Sequence, residues 1–254
     1  MNAIFFKTVL IALATFSHLF AQTEINPAGR TVQERFAPPS GYERVACDSK
    51  SFGTYLRKHP VLKDTARVRY YTGRVNPHAS PAAVIATPRV FASSEHFQCA
   101  DAVFYLYASF LKQQKREIVF RSWAGNPVRY KSQSSFSDYV LNVFKTCNTA
   151  SMENDVRFIG SIDSLKAGDV FLTPGNPGHV MIVMDVAANR QTNDLCFLLA
   201  ESYMPAQSLQ VVKNRNGGLS EVWYSVRETK DAGTLATPRW KYASPSAKLA
   251  RFKN

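Results

Sequence analysis

Between residues 169 and 226 the chain breaks into five short apolar runs: Asp169–Thr173, His179–Val186, Leu195–Glu201, Leu209–Lys213 and Val222–Val226. Turn-rich linkers separate them, among them Pro174-Gly175-Asn176-Pro177-Gly178, Asn193-Asp194 and Asn216-Gly217-Gly218. Strands spaced so closely leave no room for crossover helices, so they predict an antiparallel sheet. Upstream, Ser93–Lys115 is the longest helical candidate, and its stretch Ala100–Leu111 is apolar on nearly every side. Such a helix is buried rather than amphipathic. Helices followed by a run of strands predict an α+β fold. Shorter elements are expected at Ser51–His59 (helix), Ala66–Arg74 (strand), Ala83–Thr87 (strand), Glu117–Trp123 (strand) and Ser135–Thr146 (helix capped by Ser135).

Residues 1–21 read as a secretory signal: Lys7, the apolar run Val9–Ala14, and Ala21 before the cut. The apolar run is too short for a comfortable membrane span, and no cysteine follows closely to carry a lipid. An exported chain without an integral membrane span is the expectation, periplasmic or extracellular. Residues 22–92 then form an N-terminal extension packed on a core of residues 93–254. Removing Lys7 leaves 30 basic and 19 acidic residues, a balance that suits an anionic polymer, while export argues against nucleic acid. The basic residues are scattered, and Lys248–Lys253 reads as a basic tail.

Two residues carry the chemistry. Cys99 heads the buried helix in Gln98-Cys99-Ala100-Asp101-Ala102, and His179 opens the strand His179-Val180-Met181-Ile182-Val183. A thiol becomes a nucleophile when an imidazole takes its proton and later returns it to the leaving group. At a helix start, backbone N–H groups and the positive end of the dipole favour a thiolate and an oxyanion. That holds only if Cys99 lies in the first turn. Gln98 is the nearest side-chain amide able to serve as an oxyanion donor. If His179–Val186 and Leu195–Glu201 form a hairpin centred near Arg190, opposed residue numbers sum to 380 and Glu201 faces His179. Glu201 then receives the second ring N–H. A one-residue shift brings Ser202 or Ala200 opposite instead, and a strand-end glutamate also reads as simply solvated.

Gly168-Asp169-Val170-Phe171 followed by Pro177-Gly178-His179-Val180-Met181-Ile182-Val183 resembles the paired strands of NlpC-type and CHAP amidases and endopeptidases. Gln98–Ala102 and Glu201-Ser202-Tyr203-Met204-Pro205-Ala206-Gln207 resemble an uncharacterised family of exported bacterial proteins over nearly the whole mature chain. The first resemblance covers roughly residues 93–205. It lacks the Asp-Cys-Ser-Gly signature of the cysteine motif, and residues 117–160 lengthen the interval between cysteine and histidine. It implies a papain-like fold and a thiol hydrolase acting on peptide or amide bonds of cell-wall material. Cys99, His179 and Glu201 would be its catalytic residues, Gln98 and Tyr203 its oxyanion and substrate-binding residues. No metal or organic cofactor is required. The rival readings are a non-catalytic envelope protein that binds a glycan or a partner, and a thiol acyltransferase.

The remaining candidates have plainer readings. His96, three residues before Cys99, shares a helical face with it and with His179 would permit a metal site, but no fourth ligand is apparent. Trp123, Trp223, Trp240 and Tyr203 read either as a groove lining or as core aromatics. Thr237-Pro238-Arg239-Trp240 reads as a closure of the fold. With Cys99 free, one disulfide is available to the other three cysteines, and Cys47 with Cys147 is the expected pair. All four are equally readable as buried thiols.

Overall fold

A computed structural model describes residues 24–253 apart from 132, 176 and 217. The expected signal segment, residues 1–21, lies outside the described residues. The first part of the chain forms α1 (Val32–Arg35), β1 (Tyr42–Arg44), α2 (Phe52–Arg57), β2 (Pro81–Val84) and α3 (Arg89–Ala92). Next come α4 (Cys99–Gln113), β3 (Val119–Arg121), β4 (Pro127–Arg129), α5 (Phe136–Thr146), α6 (Thr149–Met152) and β5 (Val156–Phe158). The sheet spine follows, β6 (Val170–Thr173), β7 (His179–Asn189), β8 (Leu195–Glu201) and β9 (Gln210–Val212). The chain closes with β10 (Tyr224–Ser225), α7 (Val226–Asp231), β11 (Thr234–Ala236), β12 (Lys241–Ala243), α8 (Pro245–Lys248) and β13 (Leu249–Phe252). No helix among the described residues is long and apolar enough to cross a membrane.

The main sheet is antiparallel in the order β2-β9-β8-β7-β6-β13-β5, with β1 paired to the far end of β7 and β10 to the start of β8. Both faces of its centre are covered, which is why Val180–Val183 is apolar without alternation. Val180, Ile182, Leu198 and Ala200 pack with α4 on one face. Met181, Val183, Phe171, Phe197 and Leu199 pack with Leu235 and Tyr242 of the β11–β12 hairpin on the other. In α4, eleven of fifteen residues are buried, so the helix is held from all sides. Fully burying side chains such as Phe104 and Leu106, both 0% exposed, stabilises by about 1.5–3 kcal/mol each.

Residues 24–92 are woven into this core rather than laid on it. They supply β1 and β2 to the sheet, and two of their arginines reach beneath β7. Arg44 Nε lies 2.7 Å from Asp185 Oδ2, Arg57 Nε contacts Asp185 Oδ1, and Arg57 also donates to the carbonyls of Val45 and Val186. Asp185 is wholly buried, so the two guanidinium groups supply the compensation that a buried carboxylate requires.

Several expectations shift. Ala66–Arg74 is not a strand: a tight turn with Gly73 at φ +88° folds the segment back so that Arg69 bridges Val75. The basic tail is also not a tail. Leu249–Phe252 inserts between β6 and β5 as β13, and Arg251 donates to both carboxylate oxygens of Asp169, at 2.5 and 2.8 Å. Asp169 accepts the Lys166 N–H as well. In the Gly168-Asp169 pair the acid therefore clamps the sheet. The glycine takes φ +97° where a Cβ would lie 2.9 Å from the Phe52 ring.

The β7–β8 hairpin carries the register on which the site depends. Near its turn Val186 faces Phe197, a sum of 383, while beyond Met184 Ile182 faces Ala200, a sum of 382. The expected sum of 380 is therefore off by two. Continuing the register sets Glu201 across from Met181, with His179 two residues further on the same face. Met184 is an extra residue, a β-bulge. Under the odd sum of the outer half, Glu201 would fall across from Ile182, on the opposite face. The bulge makes the sum even and returns Glu201 to the side of His179.

Candidate active site

The cysteine helix starts later than expected, at Cys99 rather than Ser93. Residues 93–98 form tight turns, with Ser94 N–H donating to Phe91 O and Phe97 N–H to Ser94 O. Gln98 is extended, with φ −103° and ψ −163°. Its N–H donates to Asp101 Oδ2 at 3.0 Å, which fixes the first turn from the N-cap side. Cys99 is thus the first helical residue, and its N–H is one of the donors a helix leaves unused. The far end closes at Gln113. Lys115, at φ +54°, allows its own N–H to reach Lys112 O and the Arg116 N–H to reach Leu111 O.

His179 and Glu201 meet across the sheet, His179 Nε2 to Glu201 Oε2 at 2.8 Å, with both side chains 2% or less exposed. Nε2 is thereby committed, and Nδ1 is the nitrogen left for the thiol. Burial alone would push the imidazole pKa down. The Glu201 carboxylate bonded to it and the neighbouring Cys99 side chain outweigh burial and raise it from 6.5 to about 9. The ring is enclosed by aromatics: Tyr203 edge-on at 5.1 Å, Trp240 at 5.0 Å and Tyr242 stacked at 6.2 Å between centroids. Burial, with the charges of Glu201, Cys99 and Tyr203, holds the Tyr242 hydroxyl well above the usual phenol range.

One residue ties the two halves of the site together. The Ser202 hydroxyl, fully buried next to Glu201, lies 2.9 Å from Phe97 O and 2.8 Å from Gln207 O. It anchors the segment leading into Cys99 to the loop leaving β8. That loop contains the cis Met204–Pro205 bond.

Residues 32–133 and 119–251 match a family described as Domain of unknown function (4846). The chain belongs to that family. The first matched segment of this DUF4846 chain contains Cys99, the second contains His179 and Glu201, and together they span nearly all of the described fold. No curated protein and no solved structure gives a match.

The sequence candidates of the DUF4846 chain divide by place. Cys99, His179 and Glu201 converge. Gln98 holds the N-cap directly before Cys99. Tyr203 lies against the imidazole, and its hydroxyl donates to Arg239 O at 3.3 Å. Of the tryptophans only Trp240 reaches the site. Trp223 is 0% exposed in the core, donating to Ala37 O, and Trp123 is 70% exposed. His96 lies in the turn before α4 instead of on the helix, beside Glu95 at 3.8 Å. Among the described residues no group of three or more His, Cys, Asp or Glu side chains is placed to hold a metal ion.

The bridge expected between Cys47 and Cys147 is not formed, and all four cysteines are free thiols. Cys47 lies against Gly53 of α2, whereas Cys147 caps the end of α5 beside Thr146. Burial pushes both thiols up, Cys147 to about 12, which leaves them poor nucleophiles. Sequence reasoning weighed Ser202 only as an alternative residue opposite His179, placed Arg239 in a closure of the fold, and did not single out Tyr242. Ser202 stood inside the quoted Glu201–Gln207 segment, but its partners are carbonyls, which carry no sequence signal.

Proposed function

We propose that this protein is an exported thiol hydrolase of papain-like, NlpC/CHAP-type architecture, cleaving amide or peptide bonds in cell-wall material. The observation that carries the reading is His179 held between two partners. Glu201 fixes its Nε2, and Cys99, at the first position of a buried helix, lies near enough to the ring to help raise its pKa. An imidazole raised to about 9 is protonated at neutral pH, which is the partner a thiolate nucleophile needs.

The sulfur of Cys99 attacks the carbonyl carbon, and the carbonyl π electrons move to oxygen. The Cys99 N–H and the Gln98 side-chain amide are the donors proposed for that oxyanion. Collapse of the adduct breaks the C–N bond as His179 gives its proton to the departing amine, leaving a thioester on Cys99. His179, now neutral, takes a proton from water. The hydroxide attacks the thioester, and the acid leaves as the Cys99–His179 pair is restored. Glu201 keeps the ring oriented through both halves. Export rests on the leader-like residues 1–21, and the excess of basic residues suits an anionic wall polymer.

The test is digestion of peptidoglycan fragments followed by mass analysis. Wild-type protein is expected to release new amine and carboxylate termini, and Cys99→Ala none. Equal release by both proteins would overturn the reading.

A further inference from the structure

A recess of about 50 Å³ opens beside Glu201 and draws its walls from three distant parts of the chain. His78 comes from the loop before β2, Arg215 from the loop after β9, and Arg239 from the tip of the β11–β12 hairpin. Glu201 is the one acid in the lining, and its Oε2 is already engaged by His179. Among the described residues neither Arg215 nor Arg239 has a carboxylate within ion-pair distance. Two guanidinium groups at one concavity, whose single carboxylate is already bonded to His179, form a ready anion site.

Arg239 is held in place for such a role. Its Nη1 donates to the buried Gln207 Oε1 at 3.2 Å, and Asn76 Nδ2 donates to the same oxygen at 2.7 Å. Its guanidinium sits over the Tyr203 ring at 5.2 Å, and that ring lies 5.1 Å from the imidazole of His179. The two contacts in series put the guanidinium no more than about 10 Å from the catalytic ring. An extended chain covers that distance in about three residues.

We infer that this recess is a substrate subsite for a carboxylate, with Arg239 and Arg215 as specificity-determining residues. The thiol-hydrolase reading would then be narrowed to amide substrates bearing an acidic group within about three residues of the scissile bond. The inference rests on the hydrolase reading for its meaning, but the recess can be probed without it.

Two experiments separate the outcomes. In the first, Cys99 modification is followed by peptide mass spectrometry with the dianionic 5,5′-dithiobis(2-nitrobenzoate) and the neutral 2,2′-dithiodipyridine. The anionic-to-neutral rate ratio is expected to fall about tenfold in Arg239→Met, further in the double variant with Arg215→Met, and to recover in Arg239→Lys. In the second, succinate is titrated into the wild-type protein and the Arg239 Nε–H resonance is followed. A saturable shift is expected that chloride at equal ionic strength does not produce, and that Arg215→Met weakens. A ratio unchanged in the double variant, or succinate shifts identical to those with chloride, overturns the carboxylate subsite. A saturable succinate shift in a protein whose Cys99 reacts with neither reagent would sink the hydrolase reading and leave the anion site standing.

Discussion

Replacing Glu201 by Gln keeps an oxygen near His179 Nε2 and removes only the charge. The contact is 2.8 Å long and joins side chains 2% and 1% exposed, so solvent screens it little. A hydrogen bond to a charged partner contributes about 1.5–3 kcal/mol, equivalent to about one to two pH units at 1.36 kcal/mol each. His179, at about 9 in the wild type, should therefore titrate near 7–8 in the variant, by the same estimate of about one to two units. The sign for stability follows. A histidine raised above 6.5 on folding adds stability that is complete below pH 6.5 and disappears as pH rises through about 9. That gap corresponds to about 3 kcal/mol, and in Glu201→Gln the loss should begin and end at lower pH. The assay is an NMR titration of the His179 Hε1 resonance, paired with urea midpoints below pH 6.5 and above pH 9. An imidazole that titrates at the wild-type pH in Glu201→Gln would refute the reasoning.

Three further substitutions probe the scaffold. Ser202→Ala removes the one hydroxyl proton available to the Phe97 and Gln207 carbonyls, so urea denaturation should show a loss of about 1–2 kcal/mol, accompanied by slower alkylation of Cys99. Asp169→Asn weakens the grip on Arg251, which is 24% exposed; a loss of about 2 kcal/mol and faster amide exchange in β13 are expected. Gly168→Ala forces a side chain into φ +97° against Phe52, with an expected cost of about 1–3 kcal/mol read from the thermal midpoint.

The parts of this fold legible in the sequence are those fixed by local pattern. Pro177-Gly178 and Asn193-Asp194 bracket β7, and the all-round apolar face of Ala100–Leu111 marks the buried helix. The chain order of a cysteine on a helix and a histidine on a strand was legible for the same reason. Long-range pairing was not. β13 lies between β6 and β5 because Arg251 finds Asp169 some eighty residues earlier, and nothing near Leu249 announces that partner. The start of α4 was also hidden, because Ser93–Gln98 is helix-compatible in composition and only the Asp101 cap on Gln98 fixes the boundary. Register is the subtlest loss. Met184 reads as one more apolar strand residue, yet as a bulge it decides which face Glu201 occupies.

The most direct measurement is the rate at which iodoacetamide modifies each cysteine near neutral pH, in the wild type and in His179→Ala. The account predicts that Cys99 reacts far ahead of Cys47, Cys147 and Cys196, and that this lead vanishes with the imidazole. Were Cys99 to react no faster than Cys47, or just as fast without His179, no activated nucleophile would exist here.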